Sequence, residues 1–209
     1  MASKAYECLK MISDDIIANK EYLTELDAAI GDADHGINMA RGFTEVTGKV
    51  PQDLDDIGAM CKKTGMVLIS KVGGSSGPLY GTAFMKAGAA ADGKRSLTPK
   101  DMEVMLEAAV EGIKYRGKAV RGEKTMLDSL EPALDALKAD VTDSKSIREC
   151  LDDMCTAAEK GAELTKTYAA TKGRASYLGE RSIGHEDPGA VSSLIMLKAI
   201  DRFISNEIK

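Results

Sequence analysis

The sequence predicts an all-α domain of about eight helices, which takes up residues 1–209 as one unit. Apolar residues recur at three- and four-residue steps through most of the chain, which is the spacing of one face of an α-helix. The strict alternation that is typical of a half-buried strand is missing. Trp is absent, aromatic residues make up 4%, and 11 Met with abundant Ala supply a core of small and flexible side chains. Such a core suits close helix packing better than a sheet sandwich.

The individual helices follow from this spacing and from their start signals. Thr98 and Pro99, with Asp101 two residues later, form an N-terminal cap with proline at the first helical position. Asp187 and Pro188 open the last helix in the same way. Helical spacing runs through residues 3–18, 54–71, 79–92, 102–113, 124–139, 144–171 and 189–206, and a further helix begins near Gly36.

One segment has two interpretations. Residues 66–72 form an apolar run ahead of a glycine loop, which is the appearance of a buried strand. The same residues continue the helical spacing of Leu54, Ile57 and Cys61. We favour the helix.

Composition and charge exclude several classes of protein. A formal net charge of -5 argues against nucleic-acid binding, which usually needs a basic face. No run of about 18 uncharged apolar residues exists, so the sequence predicts no membrane span. The charged first twenty residues do not form a signal peptide. The four cysteines are far apart and lack a CxxC pair, so we expect no zinc site and place the protein in the reducing cytoplasm.

Glycine-rich loops stand out against the helical background. They contain both histidines of the chain, His35 and His185, and many of the polar residues that are able to do chemistry. Loops held by a rigid scaffold are the usual place for functional residues. The loops are Gly31–Gly36, Gly73–Pro78, Arg116–Met126 and Gly173–Gly189.

Three carboxylates lie within eight residues of one another, at Asp27, Asp32 and Asp34. Carboxylates this close repel unless a cation lies between them, and a hard dication such as Mg²⁺ is the natural partner. A solvated acidic turn is the alternative. The helix that begins near Gly36 adds amides and a positive dipole end for an anion, so acids and helix together indicate a nucleotide site.

Two further loops have a functional and a structural interpretation. Gly73–Pro78 is either a loop whose amides and serine hydroxyls bind phosphate or a tight turn before a helix. Gly173–Gly189 is the longest irregular stretch and contains two arginines able to stabilise phosphoryl charge, but it also fits a charged surface loop. Met126 follows a loop and either fills the core or contacts a base ring.

Several of these blocks together resemble the dihydroxyacetone kinase L subunits, the ADP-binding subunits of that enzyme. The similarity begins near Tyr22 and runs to the end of the chain in matching order, whereas the first twenty residues match poorly. Ala33 stands where many members have Gly. The matching blocks are Leu26–Gly36 with Asn38 and Met39, Gly73–Gly81, Arg116–Ala119, Gly122–Met126 and Lys172–Gly189.

The resemblance implies a barrel of eight antiparallel helices with ADP or ATP bound by the loops at one end. It implies two Mg²⁺ ions on Asp27, Asp32 and Asp34. It also implies a catalytic role for Arg174 on the γ-phosphoryl side. The residues that the resemblance assigns to the nucleotide are His35, Gly36, Ile37 and Asn38 along its length, Ser75 and Ser76 at the phosphates, Gly117 and Met126 near the base or ribose, and Arg174, Asp187, Pro188 and Gly189.

The resemblance also implies partners. A separate K subunit binds dihydroxyacetone through a histidine, and a phosphohistidine protein, the M subunit, recharges ADP to ATP in the phosphoenolpyruvate-dependent systems. ATP-dependent relatives fuse the K and L parts, so a chain with only the L part favours the phosphoenolpyruvate-dependent type. Two alternatives remain: an L subunit of an ATP-dependent kinase for another short ketose or a carrier-bound fatty acid, and a regulator that binds a transcription factor according to its nucleotide state.

Overall fold

The α-helices of the chain are joined in a closed ring. The structure, a computed structural model, describes residues 1–207 and contains within them nine α-helices and two 3-10 helices. The 3-10 helices are Thr165–Thr167 and Arg174–Ser182. The α-helices are α1 (Lys4–Ala18), α2 (Lys20–Ile30), α3 (His35–Lys49), α4 (Ile57–Lys71), α5 (Ser76–Ala90), α6 (Pro99–Gly117), α7 (Leu127–Thr142), α8 (Ile147–Leu164) and α9 (Pro188–Glu207).

Contacts between neighbours define the ring. α1 packs against α3, and the contacts continue through α4, α5, α6, α7, α8 and α9 back to α1, while α2 lies beside the ring against α3 and α9. One hydrophobic core contains side chains from all nine α-helices. The predicted all-α class and the eight-helix ring are confirmed, and no strand occurs in the part of the chain that the structure describes. Within that part, no helix is both long and apolar enough to cross a bilayer.

The connections between helices fall at two ends of the ring. In an up-and-down arrangement every second connection returns to the same end. The α3–α4 and α5–α6 connections meet at one end, where the Ile57 amide donates to the Lys94 carbonyl oxygen over 2.8 Å. The α2–α3, α4–α5, α6–α7 and α8–α9 connections line one cleft at the other end. The four glycine-rich loops are therefore brought together by topology.

The predicted helix starts are confirmed in atomic detail. The Thr98 hydroxyl accepts from the Asp101 amide over 3.2 Å, and the Asp101 carboxylate accepts from the Thr98 amide over 3.0 Å, which is a reciprocal capping box. Before α9, the Asp187 carboxylate accepts from the Ala190 amide over 2.7 Å. The capping residue Asp187 also lines the cleft.

Several predicted boundaries need correction. Residues 66–72 are not a strand, since α4 continues to Lys71. The helix predicted over 144–171 ends at Leu164 and is followed by the 3-10 turn Thr165–Thr167, and the carbonyls of Thr165 and Tyr168 receive the Lys124 ammonium. The segment predicted as irregular over 173–189 contains the 3-10 helix Arg174–Ser182, which is interrupted at Gly179 with φ 56°.

Helix α2 is absent from the helices that spacing predicts. Its buried stripe consists of Leu23, Asp27 and Ile30. The carboxylate in the middle of this stripe interrupts the apolar period. The signal failed because an aspartate occupies a position that spacing alone expects to be apolar.

Helices α4 and α5 approach so closely that their backbones touch. A Cβ atom placed on Gly65 would lie 2.6 Å from the Gly81 carbonyl oxygen, and one on Gly88 would lie 2.6 Å from the Gly58 carbonyl oxygen. No side chain larger than hydrogen fits at these positions without movement of the backbone. The contact sets the direction in which α5 delivers its N-terminus to the cleft.

We expect Gly88→Ala to destabilise the fold by about 1–3 kcal/mol, because the added methyl group meets backbone and cannot be relieved by a side-chain rotation. Urea unfolding followed by circular dichroism measures this change. Gly48→Ala is the matched control, since a Cβ there has no neighbour within 4 Å among the described residues. The control is expected to raise stability by about 0.5–1 kcal/mol through helix propensity. Equal effects of the two substitutions would contradict the close contact.

Candidate functional site

A cleft of about 940 Å³ opens at the end of the ring where the four loops meet. Its wall combines an acidic group, two glycine-rich turns, basic side chains and an apolar portion. Twelve of the residues that the sequence assigns to a site line it: Asp27, Asp32, Asp34, His35, Ser75, Ser76, Gly117, Met126, Arg174, Asp187, Pro188 and Gly189.

The acidic group consists of Asp27 at the end of α2 and of Asp32 and Asp34 in the loop that follows. One oxygen of each carboxylate lies within 4.8 Å of the others. Three like charges at this distance repel strongly unless a cation neutralises them. The donor set is all carboxylate oxygen, which fits Mg²⁺ or another hard dication and not a soft metal.

The local backbone explains why the three carboxylates converge. Asp27 is 8% exposed, and its Oδ2 accepts from the amides of Asp34 over 2.8 Å and of His35 over 3.1 Å. The loop turns tightly at Ala33, whose φ of 59° is left-handed. Glycine adopts this conformation without strain, whereas alanine does not. A Cβ on Gly31 would lie 2.1 Å from Asp27 Oδ1, so only glycine fits there.

Arg174 reaches the acidic group from the 3-10 helix Arg174–Ser182. Its Nη2 lies 2.9 Å from Asp32 Oδ2. Both side chains are partly exposed, so the ion pair contributes little to stability. The ion pair holds the Arg174 guanidinium beside the acidic group, where it is able to bind a phosphoryl oxygen in place of the Asp32 carboxylate.

The turn Gly73–Ser75 forms the second side of the cleft. Ser75 is the N-cap residue of α5, so the first amides of that helix and its positive dipole end point toward the turn. Gly74 has φ 63°, a conformation that favours glycine. Together with the hydroxyls of Ser75 and Ser76, the turn has the donors that a phosphate group needs.

Three residues that the sequence assigns to the nucleotide lie beside the cleft and are not part of its wall. A Cβ on Gly36 would lie 2.1 Å from the Lys20 carbonyl oxygen, so this glycine permits α2 and α3 to pack closely. Ile37 is 46% exposed. Asn38 is buried behind Gly73, and its Oδ1 accepts from Arg41 Nη2 over 2.7 Å. Direct contact of these three with a ligand stays a prediction.

The amide of His35, the first residue of α3, already has an anionic partner, the Asp27 carboxylate. The positive dipole end of α3 thus stabilises a buried carboxylate of the chain itself. Binding of an anion by the amides from Gly36 onward, which the sequence predicts, stays a prediction.

His35 lies in a buried hydrogen-bond network. Its Nδ1 is 3.1 Å from Ser76 Oγ, and its Nε2 is 2.9 Å from Ser192 Oγ. Burial lowers the pKa of His35 to about 4, so the imidazole is neutral at pH 7. Hydroxyl groups thus partner both ring nitrogens, and the imidazole holds the Ser76 hydroxyl in position.

Tyr80 completes this network and was not found from the sequence, where it is indistinguishable from a core aromatic residue. Its hydroxyl is 2.7 Å from Ser192 Oγ and 2.9 Å from Ser193 Oγ, and it donates to the Gly189 carbonyl oxygen over 2.9 Å. The network links α5 to the start of α9. It therefore joins the serine turn to the Asp187–Gly189 wall of the cleft.

We expect Tyr80→Phe to cost about 1–3 kcal/mol of stability, because the ring is retained while buried oxygen atoms lose their partner. Binding of ADP is expected to weaken as well, since Gly189 lies in the cleft wall. Tyr6→Phe is the matched control, because the Tyr6 hydroxyl donates to the Thr47 carbonyl oxygen over 2.9 Å away from the cleft. Urea unfolding and ADP titration of both variants test the difference. A Tyr80→Phe protein that binds ADP like wild type would show that the network does not serve the site.

Asp187 and the apolar wall complete the cleft. Burial of its carboxyl raises the pKa of Asp187 to about 7. Leu79, Ile113, Gly117 and Met126 give the cleft an apolar portion. Met126 is 4% exposed and belongs to the core as well as to the cleft lining, and its contact with a base ring stays a prediction. An acidic part, donor-rich turns and an apolar part in one cleft match a ligand with phosphates at one end and a flat base at the other.

Comparison with known proteins places this geometry in a family. Residues 29–202 match the DAK2 domain. The chain is 48% identical over 181 residues to the ADP-binding subunit of the PEP-dependent dihydroxyacetone kinase of Escherichia coli, covering 86% of each chain. It is 49% identical over 186 residues to a corresponding subunit of Listeria innocua, covering 87% of this chain and 86% of the relative.

Longer proteins contain a related part. The chain is 34% identical over 194 residues to the triokinase/FMN cyclase of Rattus norvegicus, covering 92% of this chain and 33% of the relative. The crystal structure of the dihydroxyacetone kinase from C. freundii in complex with AMP-PNP and Mg²⁺ superimposes with a TM-score of 0.74 at 25% identity. That match covers 95% of this chain, which spans only 33% of the kinase.

Proposed function

The chain belongs to the DAK2 domain family, and from this membership and the chemistry of the cleft we propose that it is the ADP-binding subunit of a phosphoenolpyruvate-dependent dihydroxyacetone kinase. The observation that carries the proposal is the convergence of three carboxylates, a serine turn at a helix N-terminus and an apolar wall in one cleft. The relatives named PEP-dependent are 43–49% identical to the chain, whereas the triokinases are 32–34% identical. This difference favours the PEP-dependent type.

Asp27, Asp32 and Asp34 are the residues that would hold two Mg²⁺ ions. Bound there, magnesium supplies positive charge that offsets the phosphate oxygens during transfer. The carboxylates are fixed before binding by the amides of Asp34 and His35 and by the turn at Ala33. Little reorganisation is then needed when the nucleotide arrives.

The residues of the chain itself position the phosphates. Ser75, Ser76 and the first amides of α5 donate hydrogen bonds to phosphate oxygens, and His35 keeps the Ser76 hydroxyl in place. Arg174 leaves Asp32 to stabilise the charge of the transferred phosphoryl group. Phosphoryl transfer depends mainly on such positioning and charge stabilisation, so the chain needs no covalent nucleophile of its own.

The partners of the reaction lie on other chains in this proposal. A K subunit presents dihydroxyacetone, and a phosphohistidine-carrying M subunit returns a phosphoryl group to ADP. The nucleotide then acts as a bound coenzyme that is recharged in place. We expect this cycle to operate in the cytoplasm.

The test is the nucleotide and magnesium content of the protein as purified, without added nucleotide. Denatured protein is analysed by chromatography for released nucleotide and by elemental analysis for metal. Near-stoichiometric ADP with magnesium is the expected result. An empty protein that binds ATP reversibly would favour an ATP-exchanging kinase, the type that includes a kinase for another short ketose. An empty protein that binds neither nucleotide would overturn the site assignment.

A further inference from the structure

A buried lysine belongs to the lining of the cleft and has no part in the mechanism described so far. Lys124 is 1% exposed, and it is among the largest fully buried side chains of the protein. A lysine is almost never fully buried unless its charge is satisfied. Its burial here requires a structural or functional reason.

The ammonium of Lys124 binds three carbonyl oxygens. It donates to Thr165, to His185 over 2.5 Å and to Tyr168 over 3.3 Å. An ammonium has three hydrogen atoms, so its donor capacity is fully used. The three acceptors belong to two different stretches of the α8–α9 connection, so the ammonium joins both stretches to the α6–α7 loop.

Two further hydrogen bonds near the Lys124 ammonium hold the turn that begins at Asp187. The Thr165 hydroxyl accepts from the Asp187 amide over 2.9 Å, and the Gly184 amide donates to the Lys166 carbonyl oxygen over 2.7 Å. Residues 184–187 are therefore tied to residues 165–166 by backbone and hydroxyl contacts. Lys124 binds both members of this pair.

The loop that carries Lys124 is itself held rigidly. The Asp128 carboxylate accepts from the Gly122 amide over 2.5 Å and from the Thr125 amide over 2.7 Å. Lys124 has φ 61°, which is left-handed backbone at a residue other than glycine. Such conformations persist only where the surroundings over-determine them, and they cluster at ligand sites.

Lys124 thus connects two parts of the cleft lining that touch each other, the Met126 wall and the Asp187–Gly189 wall. Met126 lies two residues after it, and a Cβ on Gly189 would lie 3.5 Å from the Met126 Cβ. Met126 and the Asp187–Gly189 turn both line the cleft. A shift of either wall changes the shape of the space between them.

We propose that Lys124 is a positioning residue for the nucleotide, whose ammonium locks the Met126 wall to the Asp187–Gly189 wall in the geometry that retains ADP. This inference rests on the proposed function, because it presupposes that the cleft binds a nucleotide. An apolar side chain of equal length would remove a charged donor from all three carbonyl oxygens, of which only that of Thr165 keeps a backbone donor, the Tyr168 amide, and would release the two walls from each other.

The experiment measures the rate at which ADP dissociates from the full chain in the presence of Mg²⁺, together with the urea midpoint of the nucleotide-free protein. Lys124→Met is expected to release ADP about 10- to 100-fold faster, the range seen when a supporting partner of a binding residue is removed. Thr165→Val keeps the lysine and removes the hydroxyl that accepts from the Asp187 amide and donates to the Ala162 carbonyl oxygen, and it is expected to accelerate release about fivefold.

Gly88→Ala is the matched control. It destabilises the protein at the end of the ring away from the cleft, and its dissociation rate is expected to stay within about twofold of wild type. If Lys124→Met does not fold, Thr165→Val decides the question. Rates of the folded Lys124 and Thr165 variants within about twofold of the control would overturn the inference and leave the proposed function intact. Wild-type protein that binds neither ADP nor ATP would overturn both.

Discussion

Asp32→Asn is expected to abolish the retention of Mg²⁺ and ADP while leaving the fold intact. Asp32 lies in a loop, and removal of one of three mutually repelling charges offsets the loss of its ion pair with Arg174. We therefore expect the stability of the nucleotide-free protein to change by no more than about 0.5 kcal/mol. Affinity for ADP with magnesium is expected to fall more than about 100-fold, beyond the effect of losing a supporting contact.

Asp55→Asn is the matched control for this experiment. Asp55 also forms an ion pair with an arginine, since its Oδ2 lies 3.4 Å from Arg95 Nε, but it lies at the opposite end of the ring. Isothermal titration with ADP and MgCl₂ compares both variants with wild type. Unchanged affinity in a folded Asp32→Asn protein would remove Asp32 from the metal site. Asp27 is less suitable for this test, because its carboxylate also holds the amides of Asp34 and His35.

Asp187→Asn is expected to make the nucleotide-free protein more stable at neutral pH. Burial raises the pKa of Asp187 from 3.8 to about 7, so between these values the folded protein binds a proton that the unfolded chain has lost. Stability contributed by this carboxyl is fully present below pH 3.8 and is lost as pH rises through about 7. At about 1.4 kcal/mol per unit of pKa shift, the loss reaches at most about 4 kcal/mol.

The measurement is the difference in unfolding free energy between wild type and Asp187→Asn from pH 4 to pH 8, in EDTA and without nucleotide. The advantage of the variant is expected to grow with pH and to level off above pH 7. His35 acts in the opposite direction, because its pKa of about 4 makes the folded state lose stability as pH falls below 6.5. Taking the difference between the two proteins removes this contribution. A difference that does not change with pH would contradict the raised pKa of Asp187.

Asp56→Asn is the control that measures how the change from a capping carboxylate to an amide affects stability by itself. Its Oδ1 accepts from the Ala59 amide over 2.9 Å, as the Asp187 carboxylate accepts from the Ala190 amide. Asparagine is a good N-cap residue, so the cap of α9 is expected to survive in Asp187→Asn.

Local patterns predicted the fold class well. Helical spacing and the caps at Thr98 and Asp187 were sufficient for an all-α protein with most of its helices in place. The errors lie where a tertiary contact or a buried polar residue departs from the local pattern. α8 ends earlier than predicted, and the carbonyls of Thr165 and Tyr168 after it receive the Lys124 ammonium from a distant loop. α2 was missed because Asp27, one of its own residues, occupies its buried stripe.

The residues of the candidate site also fall into those that a local pattern reveals and those that it does not. Residues whose chemistry is visible in a short segment were found: the clustered aspartates, the serine turn, and the Asp187–Gly189 turn. The sequence did not reveal three further residues, Tyr80, Ser192 and Lys124, because nothing in their neighbouring sequence indicates that these polar side chains are buried. Only the long-range contacts of Tyr80 with Gly189 and of Lys124 with His185 reveal their place at the cleft.

The sequence by itself determined the helices, their caps, the close spacing of the three carboxylates and the glycines at the turns, because all of these depend on neighbours a few residues away. The tertiary structure alone decided that four loops separated by up to 160 residues share one cleft, because this depends on every second connection of the ring returning to the same end. It also decided the charge states of the buried groups. His35 is neutral and Asp187 is partly protonated at pH 7 because the packing of helices α2, α5 and α9 removes water from around them.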